Sequence, residues 1–168
     1  NLHWVPVDRA GFAATWQILN DKKMMDMQVT ETDLLRVVET GDKVRYEAIR
    51  CSSRATIEEK LRMSETVENA SARDVAEART MQSKNRARVN AARRCGEVGM
   101  VWHIRVCQGW SENARVDSAL AMTRWTPESP DFQQYIVHGT FPELVDGILL
   151  DGLIAGGRKH FASARSHI

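Results

Sequence analysis

The sequence predicts an α+β protein made of a small helical lobe, a long helical insertion and a strand-bearing remainder. Three observations carry that prediction. The first fifty residues hold two helix-capping patterns followed by a strand-like alternation. Residues 52–94 contain neither glycine nor proline. After Gly96, two short β-rich runs replace the helical pattern. A chain of 168 residues, 43% hydrophobic and 27% charged, is the size and composition of one folded domain or two small lobes.

In the first lobe, assigned to residues 1–50, Asp8 is expected to cap a helix holding Phe12, Trp16, Ile18 and Leu19. Thr30-Glu31-Thr32-Asp33 resembles a capping box ahead of Leu34, Leu35, Val37 and Val38. Gly41 stands where a left-handed helix terminator belongs. Lys43 to Ile49 alternates polar and apolar residues as a half-buried strand does. Two helices and then a strand fit a winged-helix-like lobe.

The insertion, residues 51–97, is rich in the strong helix formers Ala, Glu and Arg. Its apolar stripe (Ile57, Leu61, Ser64, Glu68, Ser71, Val75, Ala78) has polar members, so it is expected to project with few core residues of its own. Asn69-Ala70-Ser71 offers a break into a hairpin, with Ser71 and Asp74 capping the second helix. Net charge is +1, yet residues 51–95 carry 10 basic and 6 acidic side chains. Arg79, Lys84, Arg86, Arg88, Arg93 and Arg94 follow Glu77 with no acid among them. Such a run suits either a phosphate backbone or a solvated helix face.

In the third part, residues 98–168, Met100–Cys107 and Tyr135–Val137 read as strands, and Pro142 opens a helix that Gly152 ends. His138-Gly139-Thr140 sets an imidazole and a hydroxyl between a strand and that helix. Arg158 follows a glycine pair, an arrangement suited to an anion. No apolar run approaches membrane-spanning length, and neither a signal peptide nor a lipidation motif is evident, so a soluble intracellular protein of open compartment is expected. Three cysteines without a CxxC pair argue against a disulfide framework, and the scattered histidines against a metal site. Phosphate-binding, dinucleotide, HExxH and GxSxG motifs are absent.

The order of the short motifs resembles the NAD-dependent RNA 2′-phosphotransferase family of the KptA type. His3-Trp4-Val5-Pro6-Val7-Asp8 stands for its "GWVPVDxLL" segment, and Gly41-Asp42-Lys43-Val44-Arg45-Tyr46 for "DKxRF". Ile104 to Ser111 stands for "IRANQGHS", with Val116-Asp117 downstream. His138-Gly139-Thr140, Asp151-Gly152-Leu153 and Arg158-Lys159-His160-Phe161 complete the series in the family's order.

The resemblance implies a winged-helix lobe followed by part of an ADP-ribosyltransferase-type lobe. It also implies a reaction of tRNA splicing in which an RNA 2′-phosphate attacks C1″ of NAD and expels nicotinamide. The ribose 2″-hydroxyl then attacks the phosphate, releasing RNA and ADP-ribose 1″,2″-cyclic phosphate. Arg45 and Arg158 match catalytic arginines, expected across a cleft within about 10 Å of each other. His138, Gly139, Thr140, Gln108, Gly109 and Ser111 match the surroundings of NAD. Lys43, Arg86, Arg88, Arg93 and Arg94 are the expected RNA contacts, tRNA being the expected RNA. Trp110, Cys107 and Ala162 depart from the family's histidine, asparagine and histidine. Neither the family's upstream Arg-His pair nor its last strands has a counterpart, which reads as truncation at both ends and predicts weak or no turnover. Whether the chain is an enzyme stays open at this point. The alternative is a non-catalytic RNA-binding or assembly protein of the same descent, with protein partners unknown.

Overall fold

The computed structural model describes residues 5–107, 115–121, 136–137, 139–153 and 164–165. They are of α+β class and fall into two units: residues 5–107 with 115–121, and residues 136–137, 139–153 and 164–165.

In the first unit, Asp8 does not start a helix. Its Oδ1 accepts the amides of Ala10 (3.0 Å) and Phe12 (2.9 Å), closing a turn around Gly11 at φ +86°. That turn launches β1 (Phe12–Ala14), three buried residues, and the helix begins only at α1 (Thr15–Leu19). Three consecutive small or apolar residues buried on both sides carry no period that separates strand from helix. A short α2 (Lys22–Asp26), capped by Asp21, leads to α3 (Glu31–Thr40).

The capping box of α3 is formed as read: Asp33 N donates to Thr30 Oγ1 and Thr30 N to Asp33 Oδ2. Gly41 ends α3 at φ −55°, ψ 139°, so it is not left-handed. The glycine serves a close approach instead. An added Cβ would lie 3.0 Å from the carbonyl oxygen of Lys43, and the Gly41 carbonyl accepts Asn85 Nδ2 at 2.8 Å.

Then comes β2 (Tyr46–Cys51), followed by α4 (Ile57–Val75) and α5 (Met81–Cys95). The helix α4 starts on a Thr56–Glu59 capping box and runs unbroken through Asn69-Ala70-Ser71. The break comes at residues 76–80, and Thr80, not Ser71, caps α5. The chain returns as β3 (Val101–Val106), antiparallel to both β1 and β2, giving the sheet order β1-β3-β2. A short α6 (Ser118–Ala121) closes the unit, tied back by Arg9–Asp117 (2.8 Å) and by Asp117 N to Arg9 O (2.8 Å).

The expectation of a projecting, core-poor insertion is overturned. Val67, Val89, Ala91 and Ala92 are at most 1% exposed and share one cluster with Leu35, Val38, Ile49 and Trp102. The inward face of α4 runs through Ser64, Val67 and Ser71, so the stripe holds Val67 where the sequence suggested Glu68. Small residues Ala91 and Ala92 let α5 approach closely, a signal that a tally of large apolar residues misses.

In the second unit, β4 (Ile136–Val137) pairs antiparallel with β5 (Ala164–Arg165). Between them a 3₁₀ turn at Pro142–Leu144 runs into α7 (Val145–Asp151), which Gly152 ends at φ +78°. That stop agrees with the sequence.

Candidate functional site

The strands β2 and β3 bring two of the sequence motifs together. Their register pairs Tyr46 with Val106 and Glu47 with Arg105. The ladder continues one step further, where Cys107 N donates to Arg45 O at 2.7 Å. Arg45 therefore sits opposite the residue that leads into Gln108-Gly109. Its side chain is 57% exposed, and among the described residues it pairs with Asp42 at 3.8 Å, itself 74% exposed. An exposed pair at that distance is worth little, so the fork remains available to a stronger anion.

Immediately inward lies a charged network that sequence reading missed. Arg105 Nε donates to Glu47 Oε2 at 2.6 Å, its Nη2 to Ser64 Oγ at 3.3 Å, and its Nη1 to the Leu120 carbonyl at 3.4 Å. Ser64 in turn donates to Glu47 Oε1. The guanidinium carbon lies 4.7 Å from the Phe12 ring centroid. Glu47 is 4% exposed, so this is a desolvated pair whose cost is offset because its members are hydrogen-bonded throughout. Burial pushes the neighbouring Cys107 thiol up to about 12, with the Glu47 charge adding to it. No sequence signal marked Glu47, because its partners lie 17 and 58 residues away.

A second cluster lines a cleft of about 290 Å³ among Asp8, Trp16, Ser53, Lys60 and His103. Lys60 Nζ meets Asp8 Oδ2 at 2.8 Å, and Cys51 Sγ lies 3.3 Å from His103 Nδ1. This is not a nucleophile pair. Burial raises the Cys51 thiol to about 11 and lowers the imidazole, so the thiolate is disfavoured at neutral pH. Among the described residues no group of His, Cys, Asp or Glu is arranged to hold a metal ion.

The basic run on α5 and in the break before it divides in two. Arg93 pairs with Glu39 of α3 at 2.8 Å, Arg94 with Asp74 of α4, and Arg88 approaches Glu68 of α4 at 3.9 Å. Arg79, Lys84 and Arg86 have no ion-pair partner among the described residues. Much of the positive run thus fastens helix to helix.

Comparison with protein families supplies the decisive observation: the model of the RNA 2′-phosphotransferase, Tpt1/KptA family, matches residues 3–167. The chain belongs to that family. Comparison with curated proteins and with solved structures finds no significant match.

Members of this RNA 2′-phosphotransferase family use NAD in general, and the family implies an RNA substrate. Of the residues expected at the site, Lys43 and Arg45 lie in the exposed turn ahead of β2. Gly139 and Thr140 lie exposed between β4 and the 3₁₀ turn, in the other unit. Arg158, His138, Gln108, Gly109 and Ser111 lie outside the described residues. Among the described residues no helix is long and apolar enough to cross a membrane.

Proposed function

We propose that this phosphotransferase-family chain removes a 2′-phosphate from RNA by transfer to NAD, with release of nicotinamide and ADP-ribose 1″,2″-cyclic phosphate. The observation that carries the reading is the exposed, weakly paired side chain of Arg45, whose backbone carbonyl is fixed by the Cys107 amide at the exit of β3. A planar fork with five donors suits a dianionic phosphate better than an ammonium does. Arg45 binds and orients the phosphate and takes up its charge in transfer, together with Arg158. Gly139 and Thr140 are exposed, with open space where a Gly139 Cβ would be, which suits close approach of a ligand to the backbone. They contribute to the NAD pocket with His138, Gln108, Gly109 and Ser111.

The same reading covers the architecture. Residues 1–50 form a winged-helix-like lobe whose sheet β3 completes, residues 51–97 its insertion, and residues 98–168, apart from the stretches holding β3 and α6 that belong to the first unit, part of an ADP-ribosyltransferase-like lobe. The sheet order β1-β3-β2, with α1 to α3 between β1 and β2, supports the winged-helix description. In it α4 and α5 occupy the place of the wing between β2 and β3.

The test is incubation with NAD and an RNA oligonucleotide carrying one internal 2′-phosphate, a splice-junction tRNA sequence among the substrates. Nicotinamide and the cyclic phosphate product are followed by mass spectrometry. Product that requires the 2′-phosphate and collapses in Arg45→Ala supports the reading. RNA binding with no product in any condition favours the non-catalytic RNA-binding alternative.

A further inference from the structure

We infer that Glu47, Arg105 and Ser64 are positioning residues for Arg45, so that the inserted helix α4 sets the phosphate-binding edge through one buried hydroxyl. This rests on the role proposed above for Arg45.

Residues two apart on a strand share a face and stand about 6.6–6.8 Å apart. Along the continued ladder, Arg45 and Glu47 are such a pair on one strand, and Cys107 and Arg105 on the other. The Glu47–Arg105 ion pair therefore bolts the two strands together directly behind the step that carries Arg45. All three guanidinium nitrogens of Arg105 have a partner: a carboxylate, a hydroxyl and a carbonyl. A buried network satisfied in this way has one low-energy arrangement, the condition for holding a neighbouring group to within about 0.5 Å.

Ser64 is the member that links the strands to the insertion. It donates to Glu47 Oε1 and accepts from Arg105 Nη2, and it is 6% exposed. A hydroxyl placed between two opposite charges tunes their geometry more than it fills space. Val67, one turn further along α4 and 1% exposed, has no polar group to offer the network.

The experiment compares wild type, Ser64→Ala, Val67→Ala, Arg45→Ala and the Ser64→Ala/Arg45→Ala double variant. It measures affinity for one RNA oligonucleotide with and without an internal 2′-phosphate, and thermal stability alongside. The readout is the ratio of the two affinities. Ser64→Ala is expected to lower that ratio about tenfold, a misplacement effect, and to change nothing further when Arg45 is already Ala. Val67→Ala is expected to lower stability at least as much and to leave the ratio near wild type.

Glu47→Gln, which leaves the Arg105 charge buried without its partner, is expected to lower the ratio further wherever it folds. An unchanged ratio in Ser64→Ala beside a collapsed ratio in Arg45→Ala overturns the inference alone. So does an equal fall in Val67→Ala, which marks general softening of the fold. An unchanged ratio in Arg45→Ala, or a wild type that binds both oligonucleotides equally, overturns the underlying reading of Arg45 and the inference with it.

Discussion

The amide of Cys107 donates a 2.7 Å hydrogen bond to the carbonyl of Arg45, one step beyond the Tyr46–Val106 pair. Two motifs about sixty residues apart in sequence are thereby held on adjoining strand ends, and the prediction nearest to function concerns the arginine. Arg45→Ala should lower turnover of 2′-phosphorylated RNA by about 10²–10³, the usual cost of removing one electrostatic contact to a transferring group. Arg45→Lys should recover only a small part, because an ammonium keeps the charge and loses the fork. Steady-state rates of nicotinamide release check both. A lysine variant as active as wild type contradicts a bidentate role.

The helices α4 and α5 should be indispensable to the first unit. Val67 is 1% exposed at their packing surface, and Val67→Ala should cost about 1.5–3 kcal/mol through lost burial and a residual cavity. Joining Arg50 to Gly96 by a short linker removes both helices and should abolish cooperative unfolding. A deletion protein that still melts in one sharp transition refutes this.

Salt dependence of RNA binding should sort the basic residues. Arg79, Lys84 and Arg86 have no acidic partner among the described residues, whereas Arg93 and Arg94 are paired with Glu39 and Asp74. Replacing the first three with Gln should reduce the slope of log affinity against log salt by about 2, at roughly 0.7 per released counterion on a single strand. Replacing Arg93 and Arg94 should change that slope less and lower stability by up to about 1 kcal/mol each. Equal effects of the two sets would show that the ion pairs open when RNA arrives.

Acid should weaken the first unit through His103. Burial, followed by the charge of Lys60, holds its imidazole below the ordinary value of 6.5, and the side chain is 2% exposed. The unfolded chain therefore takes up this proton first as pH falls. The neutral imidazole's contribution is fully present above the unfolded value and is lost as pH drops below it. His103→Gln should lower the melting temperature at neutral pH yet lose less of it between about pH 7.5 and about pH 5.5. A variant that is as acid-sensitive as wild type assigns the effect elsewhere.

What could be read from the sequence was local. The capping box at Thr30–Asp33, the alternation that gives β2 and the Pro142 and Gly152 boundaries each depend on neighbours within one turn. The strand at Phe12–Ala14 was hidden because burial on both sides removes the period that identifies a strand. Asn69 reads as a breaker, yet α4 continues because Val67 and Ser71 are both buried against the rest of the unit. At the candidate site, Arg45 was legible through its motif. Glu47 and Ser64 were not, since each acquires its meaning from Arg105 only when the sheet forms.

The placement of α4 and α5 between two paired strands also bears on the order in which the molecule assembles. Cys51 and Val101 are partners in the sheet, but residues 52–100 separate them, so the β2–β3 ladder is a long-range closure that chain entropy delays. The contacts between α4 and α5 are nearer in sequence, and the folded hairpin brings the two ends close before the strands register. Amide protection at Val67 and Val89 should therefore precede protection at Glu47 and Cys107, whose amides point into the β2–β3 ladder, in a refolding experiment followed by hydrogen exchange. On that schedule Arg45 and Cys107 meet last, and competence to hold a phosphate arrives only with the closing rung of the sheet.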